Sequence, residues 1–543
     1  MLNKIPFYAG FIILLVLTAQ KGICQDVIAK TPPMGWNSYC CFGAQVTEAE
    51  VKAIADYMEE HLKHLGWEYV VIDFLWYVKD LTVENWQYND SIIVDRYGRM
   101  RPRPDYFPSS AADSSFKQLA DYIHSKGLKF GIHLMRGIPK IAVLKNLPIK
   151  GTDYRAQDIS SADDLTPWYQ EMYSVEMDRP GAQEYYNSLI ELYASWGVDF
   201  IKIDGIAANP FRPDEIEGYY NAVKNCKREI VISLSPGPSL LSEADTYISF
   251  SNMWRMRNDS WDYWSVIPDM MSIAENWNQY RSPGHWPDAD MLPLGKISIR
   301  SEATYLPNQV ERYCRLTEDE QYTMMTFWTI FRSPLIFGGH LPENDQFTFD
   351  LITNPEVIYI NQHSENNRQL FYKNNTRAWA ADDPENGDKF LALFNLNSSA
   401  KTITVTWSEL GISGTYQVKD IWSQTDLGSY STQISRNINA HGTGLYRISA
   451  NNTTGGVSPD IYENATADVR LYPVPAGGGT LLVELSGFKK PTMKICDLYG
   501  RIKVEQNVYE NVIEISTEEL QKELYIIIIN DDKNITSKKL VIN

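Results

Sequence analysis

The sequence predicts an α/β fold in which a (β/α)8 barrel is followed by an antiparallel β-sandwich domain and a second small all-β module. Three observations carry this prediction. Short apolar runs alternate eight times with helical patterns between residues 27 and 360. The runs after Asn361 are β-rich and separated by turn residues, and a stretch rich in Gly, Ser, Thr and Asn precedes the last module. Strand and helix alternating eight times is typical of a closed parallel barrel.

The composition of the 543 residues is that of an ordinary globular protein. Hydrophobic residues make up 44% and charged residues 22%, which excludes a mostly disordered or fibrous chain. The formal net charge of -18 would repel nucleic acid phosphates, and no basic patch is concentrated in the sequence. We therefore expect no nucleic acid partner.

The first 25 residues are predicted to be a secretory signal peptide. Lys4 precedes an apolar run at residues 10–19, which is shorter than the ~20 residues that span a bilayer. Small side chains at Gly22 and Cys24 place the cleavage site close behind them. Lipidation of Cys24 is the alternative, and Lys21 disfavours it. The mature chain is expected in the periplasm, outside the cell or on its surface, without a membrane span.

Cysteine usage gives no sign of a structural zinc site. Five cysteines remain after the predicted cleavage, and no CxxC pair with a suitably spaced histidine is present. Five in more than 500 residues also do not make a disulfide framework.

The barrel is assigned to residues 26–362. Its intervening helices are predicted from apolar residues at three-to-four spacing, as in Thr47–Leu65, Ser115–Ser125 and Ala182–Trp196. The eight predicted strand runs are Met34–Tyr39, Tyr69–Phe74, Lys129–Met135, Phe200–Asp204, Ile230–Ser235, Tyr247–Trp254, His285–Leu292 and Ser333–Gly339.

Two all-β modules are predicted after the barrel. Residues 363–450 contain short β-rich segments at regular intervals, which predict the antiparallel β-sandwich. Residues 451–467 have the composition of a linker. Residues 468–543 again contain short strand patterns, and they are assigned to the C-terminal module.

Several aspartates stand at the carboxyl ends of the predicted strands, where such barrels build their active sites. They are Asp73, Asp204, Asp288 and Asp290. An aspartate in this position often only caps the next helix, which is the alternative for any single one.

Asp204 is the best candidate for a nucleophile. Lys202 lies two residues earlier on the same face of the strand, where its ammonium would keep Asp204 ionised. A structural ion pair is the alternative. Retaining glycoside cleavage also needs an acid/base carboxylate, which should come from another strand end. Asp259, beyond the sixth run, is the candidate, and Asp262 is its rival.

Five motifs together resemble glycoside hydrolase family 27, the family of α-galactosidases and α-N-acetylgalactosaminidases. They occur in the family's order over about 330 residues. The motifs are TPPMGWNS at 31–38, YVVID at 69–73, KID with the following glycine at 202–205, WR at 254–255 with Asp259 four residues after the arginine, and WPDADML at 286–292. The resemblance implies a (β/α)8 barrel followed by an antiparallel β domain, and a reaction that needs no metal or organic cofactor.

The resemblance also implies roles for single residues. It makes Asp204 the catalytic nucleophile and Asp259 the general acid/base. The positions that it assigns to substrate binding are Arg255 and Asp290 around the sugar and the acid/base, Lys202 and Asp73 on sugar hydroxyls, and Trp36 and Tyr39 at the floor and wall of the pocket. For the two aromatic residues, simple filling of the barrel top is the alternative.

The sequence departs from the family pattern at the sugar pocket. Family α-galactosidases usually carry two adjacent aspartates that reach the 4- and 6-hydroxyls, whereas Asp73 is followed by Phe74. His133 stands where the third strand normally presents a tyrosine, and Ile206 stands where many members have a cystine. His133 and Arg136 are predicted as replacement sugar ligands, with a supporting role as the alternative for His133.

The sequence therefore predicts an exported, retaining exo-α-glycosidase with a carbohydrate substrate. The resemblance favours an α-galactosidase, with β-L-arabinopyranosidase or isomaltodextranase activity as alternatives on the same scaffold. A non-catalytic glycan-binding protein is disfavoured, because pure binding does not need two positioned carboxylates.

The last module has a resemblance of its own. The segments 472–476, 497–501 and 538–543 resemble the C-terminal sorting domain of substrates of the type IX bacterial secretion system. An ordinary accessory β-sandwich is the alternative.

Overall fold

The computed structural model describes residues 27–79, 91–163, 165–300, 310–450 and most of 468–542. Two compact units are present, one ending at Asn451 and the other beginning at Asn452. The predicted signal peptide, with Cys24, and the predicted linker lie outside the described residues. Among the described residues, no helix is long and apolar enough to cross a membrane.

Eight parallel strands form the predicted barrel, so the fold class is confirmed. The strands are β1 (Met34–Asn37), β2 (Tyr69–Ile72), β3 (Lys129–Met135), β4 (Val198–Asp204), β5 (Val231–Leu234), β6 (Met253–Arg255), β7 (Trp286–Asp288) and β8 (Leu335–Phe337). Consecutive strands pair from β1 to β7, and β8 pairs with β1. A parallel bridge between Leu292 and Phe337 closes the ring after β7.

The predicted run Tyr247–Trp254 is wrong for most of its length. The structure places Ala244–Phe250 in a helix, and β6 begins only at Met253. Tyr247 lies outside the sheet, where its ring stacks on Trp254 with 5.9 Å between centroids. A short apolar run does not distinguish a buried helix from a buried strand, which explains the error.

Helices cover the outside of the barrel and the join to the next domain, and the last short helix lies within the β-sandwich. They are α1 (Tyr39–Phe42), α2 (Glu48–His61), α3 (Lys117–Ser125), α4 (Lys140–Leu144), α5 (Ala156–Ile159), α6 (Ala182–Trp196), α7 (Pro213–Asn225), α8 (Ala244–Phe250), α9 (Val266–Trp277), α10 (Glu318–Phe331), α11 (Gln346–Thr353), α12 (Pro355–His363) and α13 (Trp407–Leu410). Capping boxes start two of the long helices, formed by Thr47 with Glu50 in α2 and by Thr317 with Glu320 in α10.

Strand periodicity explains why the interior of the barrel is apolar, whereas the end formed by the carboxyl ends of the strands is charged. Side chains alternate between the two faces of a strand, so Tyr69, Val71 and Asp73 share the inner face of β2. The first two pack in the buried cluster inside the barrel, together with Phe200 of β4. The next inward positions toward the carboxyl end carry charged groups, which places the polar side chains at the top of a filled barrel.

The β-sandwich follows α12 directly and is antiparallel throughout. Its strands are β9 (Glu365–Lys373), β10 (Thr376–Asp382), β11 (Lys389–Asn395), β12 (Lys401–Thr406), β13 (Tyr416–Asp420), β14 (Thr425–Tyr430), β15 (Gln433–Ile438) and β16 (Thr443–Ala450). Six of them form one sheet in the order β9-β10-β11-β16-β13-β14, and β12 pairs with β15 in a second. Leu391, Val405 and Ile434 are among the residues of the core between them.

The C-terminal unit is all-β, as predicted. Its strands are β17 (Asp468–Tyr472), β18 (Thr480–Ser486), β19 (Thr492–Asp497), β20 (Ile502–Asn507), β21 (Val512–Ser516), β22 (Leu524–Asn530) and β23 (Ile535–Val541). They form a three-stranded sheet, β17-β18-β21, and a four-stranded sheet, β20-β19-β22-β23. Leu481, Val483, Ile495 and Ile527 contribute to a separate core for this unit.

Candidate active site

A cavity of about 440 Å³ opens at the carboxyl ends of the barrel strands. This volume lies in the range of small-molecule sites. Its lining includes six of the residues predicted from the sequence, namely Tyr39, Asp73, Lys202, Asp204, Asp259 and Asp290. Phe74, Trp168 and Trp261 also line it. Charged groups and aromatic surfaces therefore face the same space, a combination that suits a sugar ring.

Asp204 is held at the end of β4 through both carboxylate oxygens. Oδ1 accepts a hydrogen bond from the backbone N–H of Gly205 at 2.8 Å, and Oδ2 lies 3.0 Å from Nε2 of His133. Gly205 has φ +72°, and a Cβ there would lie 2.8 Å from Oγ1 of Thr166. Glycine is thus required beside the carboxylate, which is fixed in orientation while it still lines the cavity.

His133 contacts the candidate nucleophile and is completely buried. Its ring lies edge-on to Phe74 at 5.2 Å, and it is not among the described residues that line the cavity. The position of His133 therefore does not support the expected role as a replacement sugar ligand. The geometry supports the alternative, in which His133 orients Asp204.

Arg136 is also turned away from the cavity, in contrast to its expected role as a sugar ligand. It is 2% exposed, donates from Nε to the carbonyl of Gly205 at 2.7 Å, and pairs through Nη1 with Glu215 at 2.8 Å. Burial raises the pKa of Glu215, while the charges of Arg136 and Arg212 oppose that rise. Because a buried carboxylate lies behind the barrel strand, the arginine turns toward it and braces the turn after Asp204.

Lys202 and Asp73 form a buried ion pair on the cavity floor. Nζ of Lys202 lies 2.8 Å from Oδ2 of Asp73, which also accepts a hydrogen bond from Asn37 at 2.7 Å. Burial alone would raise the pKa of Asp73, but the charges of Lys202 and His133 outweigh it and hold that pKa well below its usual range. Burial would lower the pKa of Lys202, but the neighbouring Asp73 and Asp204 raise it overall. Both groups are therefore charged at neutral pH.

Arg255 joins the two carboxylates at the other strand ends. Its Nη2 lies 3.1 Å from Oδ1 of Asp259 and 2.5 Å from Oδ2 of Asp290, which also accepts from the backbone N–H of Ser260 at 2.6 Å. Asp259 has 40% of its side chain exposed, whereas Asp290 has 2%. Burial raises the pKa of Asp290, Arg255 opposes this, and the charges of Asp259 and Asp288 add to the rise. Asp259 is thus the accessible member of the pair.

Asp262, the rival acid/base candidate, is held away from the cavity. Its side chain is fully buried, and it accepts hydrogen bonds from Nη2 of Arg312 at 2.7 Å and from the backbone N–H of Arg315 at 2.9 Å. It is not among the described lining residues. These contacts make Asp262 an anchor for the loop that carries Asp259.

Aromatic side chains form the walls, and sequence reasoning missed two of them. Trp168 lies 5.8 Å from the ring of Phe74, and Trp261 lies 6.3 Å from that of Tyr39. Trp261 could have been found from its place two residues after Asp259. Trp168 comes from the long segment between β3 and β4, which gives no such signal. Trp36 is fully buried and donates from Nε1 to the carbonyl of Gly339 at 2.8 Å, so it supports the site from outside the described lining.

Among the described residues, no group of three or more His, Cys, Asp or Glu side chains is arranged to hold a metal ion. The site therefore consists of carboxylates, two cationic side chains and aromatic walls at the top of a (β/α)8 barrel. This arrangement defines the protein as a barrel of the glycoside hydrolase class.

Family models agree with this class along the chain. The model for α-galactosidase A matches residues 31–143 and 151–363, and the model for the α-galactosidase C-terminal β-sandwich domain matches residues 373–448. The chain belongs to glycoside hydrolase family 27. A third model, the secretion system C-terminal sorting domain, matches residues 470–543 and confirms the resemblance of the last module.

Individual relatives have different activities. A β-L-arabinopyranosidase of this family from Geobacillus stearothermophilus is 44% identical, with a TM-score of 0.76 over 79% of this chain and 98% of that one. A variant of it in complex with arabinose has a TM-score of 0.75 at the same identity, over 78% and 98%. An α-galactosidase from Cyamopsis tetragonoloba is 26% identical over 441 residues, which are 79% of this chain and 88% of that one. Membership of this family supports a glycosidase activity. The identity of the sugar depends on the residues that line the pocket.

Proposed function

We propose that this protein is a retaining exo-glycosidase that releases terminal β-L-arabinopyranosyl residues. The choice of sugar is based on the position of Phe74, whose ring lines the cavity beside Asp73. In the family pattern this position belongs to a second aspartate that reaches a sugar hydroxyl. His133 and Arg136, the candidates for a replacement donor, are directed to Asp204 and Glu215 instead.

The two sugars in question differ at one substituent. β-L-Arabinopyranose has the ring configuration of α-D-galactopyranose but lacks the hydroxymethyl group on C5. A galactoside would place a hydroxyl against an apolar wall and lose a charge-assisted hydrogen bond there, whereas the pentose has no such group to satisfy. Trp168 and Tyr169 pack on Phe74 at 5.8 and 5.3 Å and support it in that wall.

We assign the chemistry to two of the carboxylates that line the cavity, Asp204 and Asp259. Asp204 attacks the anomeric carbon while Asp259 protonates the leaving oxygen, which gives a glycosyl ester on Asp204 and the free aglycone. Asp259 then takes a proton from water as the water attacks the same carbon, and Asp204 leaves as carboxylate. Two inversions give net retention. Lys202 and Asp73 hold ring hydroxyls as donor and acceptor.

A panel of p-nitrophenyl glycosides tests the choice of sugar. We expect kcat/KM for the β-L-arabinopyranoside to exceed that for the α-D-galactopyranoside by at least about tenfold. One unfavourable contact between a substrate group and the pocket typically changes the ratio of two kcat/KM values by this much. Phe74→Asp should move the ratio toward the galactoside, whereas Phe74→Leu, the matched apolar control, should leave it in place. A wild-type preference for the galactoside would overturn the choice of sugar.

A terminal α-galactosidase is the second candidate, and the α-galactosidase relatives favour it. The same panel decides between the two, because the galactoside is then the better substrate of the wild type. Absence of hydrolysis on every glycoside would instead favour a glycan-binding protein.

We also propose that the protein is exported and reaches the cell surface or the medium. The match to the sorting domain over residues 470–543 supports this location. In the native host, full-length protein should be found at the surface or outside the cell, and a chain ending at residue 450 should be retained inside the cell envelope. Equal distribution of the two forms would contradict a sorting role.

A further inference from the structure

The loop that carries Asp259 is anchored on the barrel side. Residues 257–265 form no helix or strand, so side-chain contacts fix their position. Asp262, three residues after Asp259, is buried against Arg312 and the backbone of Arg315. This anchor holds the middle of the loop.

A second anchor reaches the same loop from the β-sandwich. The indole of Trp264 stacks on the imidazole of His441, with 4.0 Å between ring centroids and 10° between planes. Nδ1 of His441 lies 2.7 Å from Oε1 of Glu320, and the carbonyl of His441 accepts a hydrogen bond from Thr323 at 2.7 Å. Both partners lie on α10, so the imidazole is fixed between a barrel helix and the catalytic loop.

The backbone at His441 is strained. The residue lies in the turn between β15 and β16 with φ +56°, in the left-handed region that favours glycine or asparagine. A histidine in this conformation costs free energy that a glycine would not. Its ring contacts on Trp264 and Glu320 give a reason for a side chain at this position, since strain is often kept where a site requires it.

We propose that His441 is a positioning residue of the second domain, which acts through Trp264 to hold Asp259 within reach of the leaving oxygen. The proposal rests on the proposed function, because it needs Asp259 to be the general acid. Proton transfer requires hydrogen-bond distance, and a displacement of about 1 Å can cost a hundredfold in rate. Asp204 is held independently by Gly205 and His133, so loosening the loop should impair protonation and spare nucleophilic attack.

The test is His441→Asn, which keeps a residue that tolerates left-handed backbone and removes the ring that stacks on Trp264. The quantity to measure is kcat/KM, which reports the first chemical step, on glycosides of the preferred sugar with two leaving groups. We expect a loss of about tenfold or more with an alkyl leaving group, which needs protonation, and less than about twofold with dinitrophenolate, which does not. His441→Phe keeps a stacking ring and should recover most of the activity on the alkyl glycoside.

Trp422→Phe is the matched control. It removes the 2.9 Å hydrogen bond from Trp422 to Thr326, another contact between the sandwich and α10 that lies away from the loop. The melting temperature of this variant should fall. Any change in its kcat/KM should be the same for both leaving groups. Equal losses of His441→Asn on both substrates, or no loss on either, would overturn the proposal.

Asp259→Ala separates the role of His441 from that of Asp259. If Asp259→Ala shows the dependence on the leaving group and His441→Asn does not, the positioning role of His441 alone is refuted. If Asp259→Ala shows equal losses on both substrates, the acid/base assignment fails, and the role of His441 fails with it.

Discussion

The ion pair of Lys202 and Asp73 should contribute strongly to the free energy of unfolding of the barrel, because both side chains are largely shielded from water. Their side chains are 12% and 3% exposed. Lys202→Met keeps the length of the side chain but leaves the carboxylate without its ammonium. Removing one partner of a buried pair costs about 3–5 kcal/mol, since the remaining charge loses its compensation while it stays out of water.

Adding Asp73→Asn to Lys202→Met should restore most of that loss. Asparagine keeps an oxygen that accepts the hydrogen bond from Asn37, which is 2.7 Å long in the wild type. It has no charge, so it needs no ionic partner. We expect the double variant to lie within about 2 kcal/mol of the wild type, so the two substitutions should be strongly non-additive. Both variants should lose activity, because each side chain lines the cavity.

Urea unfolding followed by tryptophan fluorescence measures this effect in the full-length chain. All fifteen tryptophans precede residue 452, so the signal reports only on the unit that contains the barrel. A loss below about 1 kcal/mol in Lys202→Met, or a double variant less stable than the single one, would refute the electrostatic reasoning.

The same pair gives the wild type a defined pH dependence. The folded-state pKa of Asp73 is lowered, so its contribution to stability is fully present above the unfolded pKa of about 4. That contribution should be lost as the pH falls through the folded pKa. The pH profile of the double variant should lack this part of the acid-induced loss, and identical profiles would contradict the assignment.

Three further predictions concern the catalytic groups and the last module. Asp204→Ala should lose nearly all turnover, and azide should partly restore it and yield a glycosyl azide of inverted configuration; retention of more than a few per cent of activity would exclude Asp204 as nucleophile. Asp259→Ala should keep near-normal kcat/KM on activated aryl glycosides and lose most of it on unactivated ones, which rate measurements on both classes decide. A chain ending at residue 450 should hydrolyse a small soluble substrate at the full-length rate, because the cavity is built within the first compact unit. A large rate loss at unchanged melting temperature would show that the last module contributes to catalysis.

Periodicity was sufficient to find seven of the eight barrel strands, because buried parallel strands are short apolar runs between helical patterns. It failed for the run at 247–254, where α8 has the same apolar composition as a strand. The carboxylates at the strand ends were found for a related reason. Parallel strands bring their carboxyl ends together, so Asp204 at the end of β4 and Asp259 in the loop after β6 line one cavity.

The directions of side chains just beyond a strand could not be predicted. Arg136 follows the last residue of β3, and its direction depends on Glu215, a partner 79 residues later in the chain. His133 has the correct depth, but its ring is directed along the sheet to Asp204. The wall residue Trp168 lies in the long segment between β3 and β4, and the contact of Trp264 with His441 joins two domains. The spacing of residues along the sequence does not predict any of these long-range contacts.

We propose that Asp204 and Asp259 perform double displacement on a terminal β-L-arabinopyranoside. Following the hydrolysis of that glycoside by proton NMR tests it directly, because the anomeric signal of the first-formed sugar reports the stereochemistry before mutarotation. We expect β-L-arabinopyranose to appear first. An α-L anomer as the first product would contradict the double displacement, and an inert β-L-arabinopyranoside would contradict the substrate.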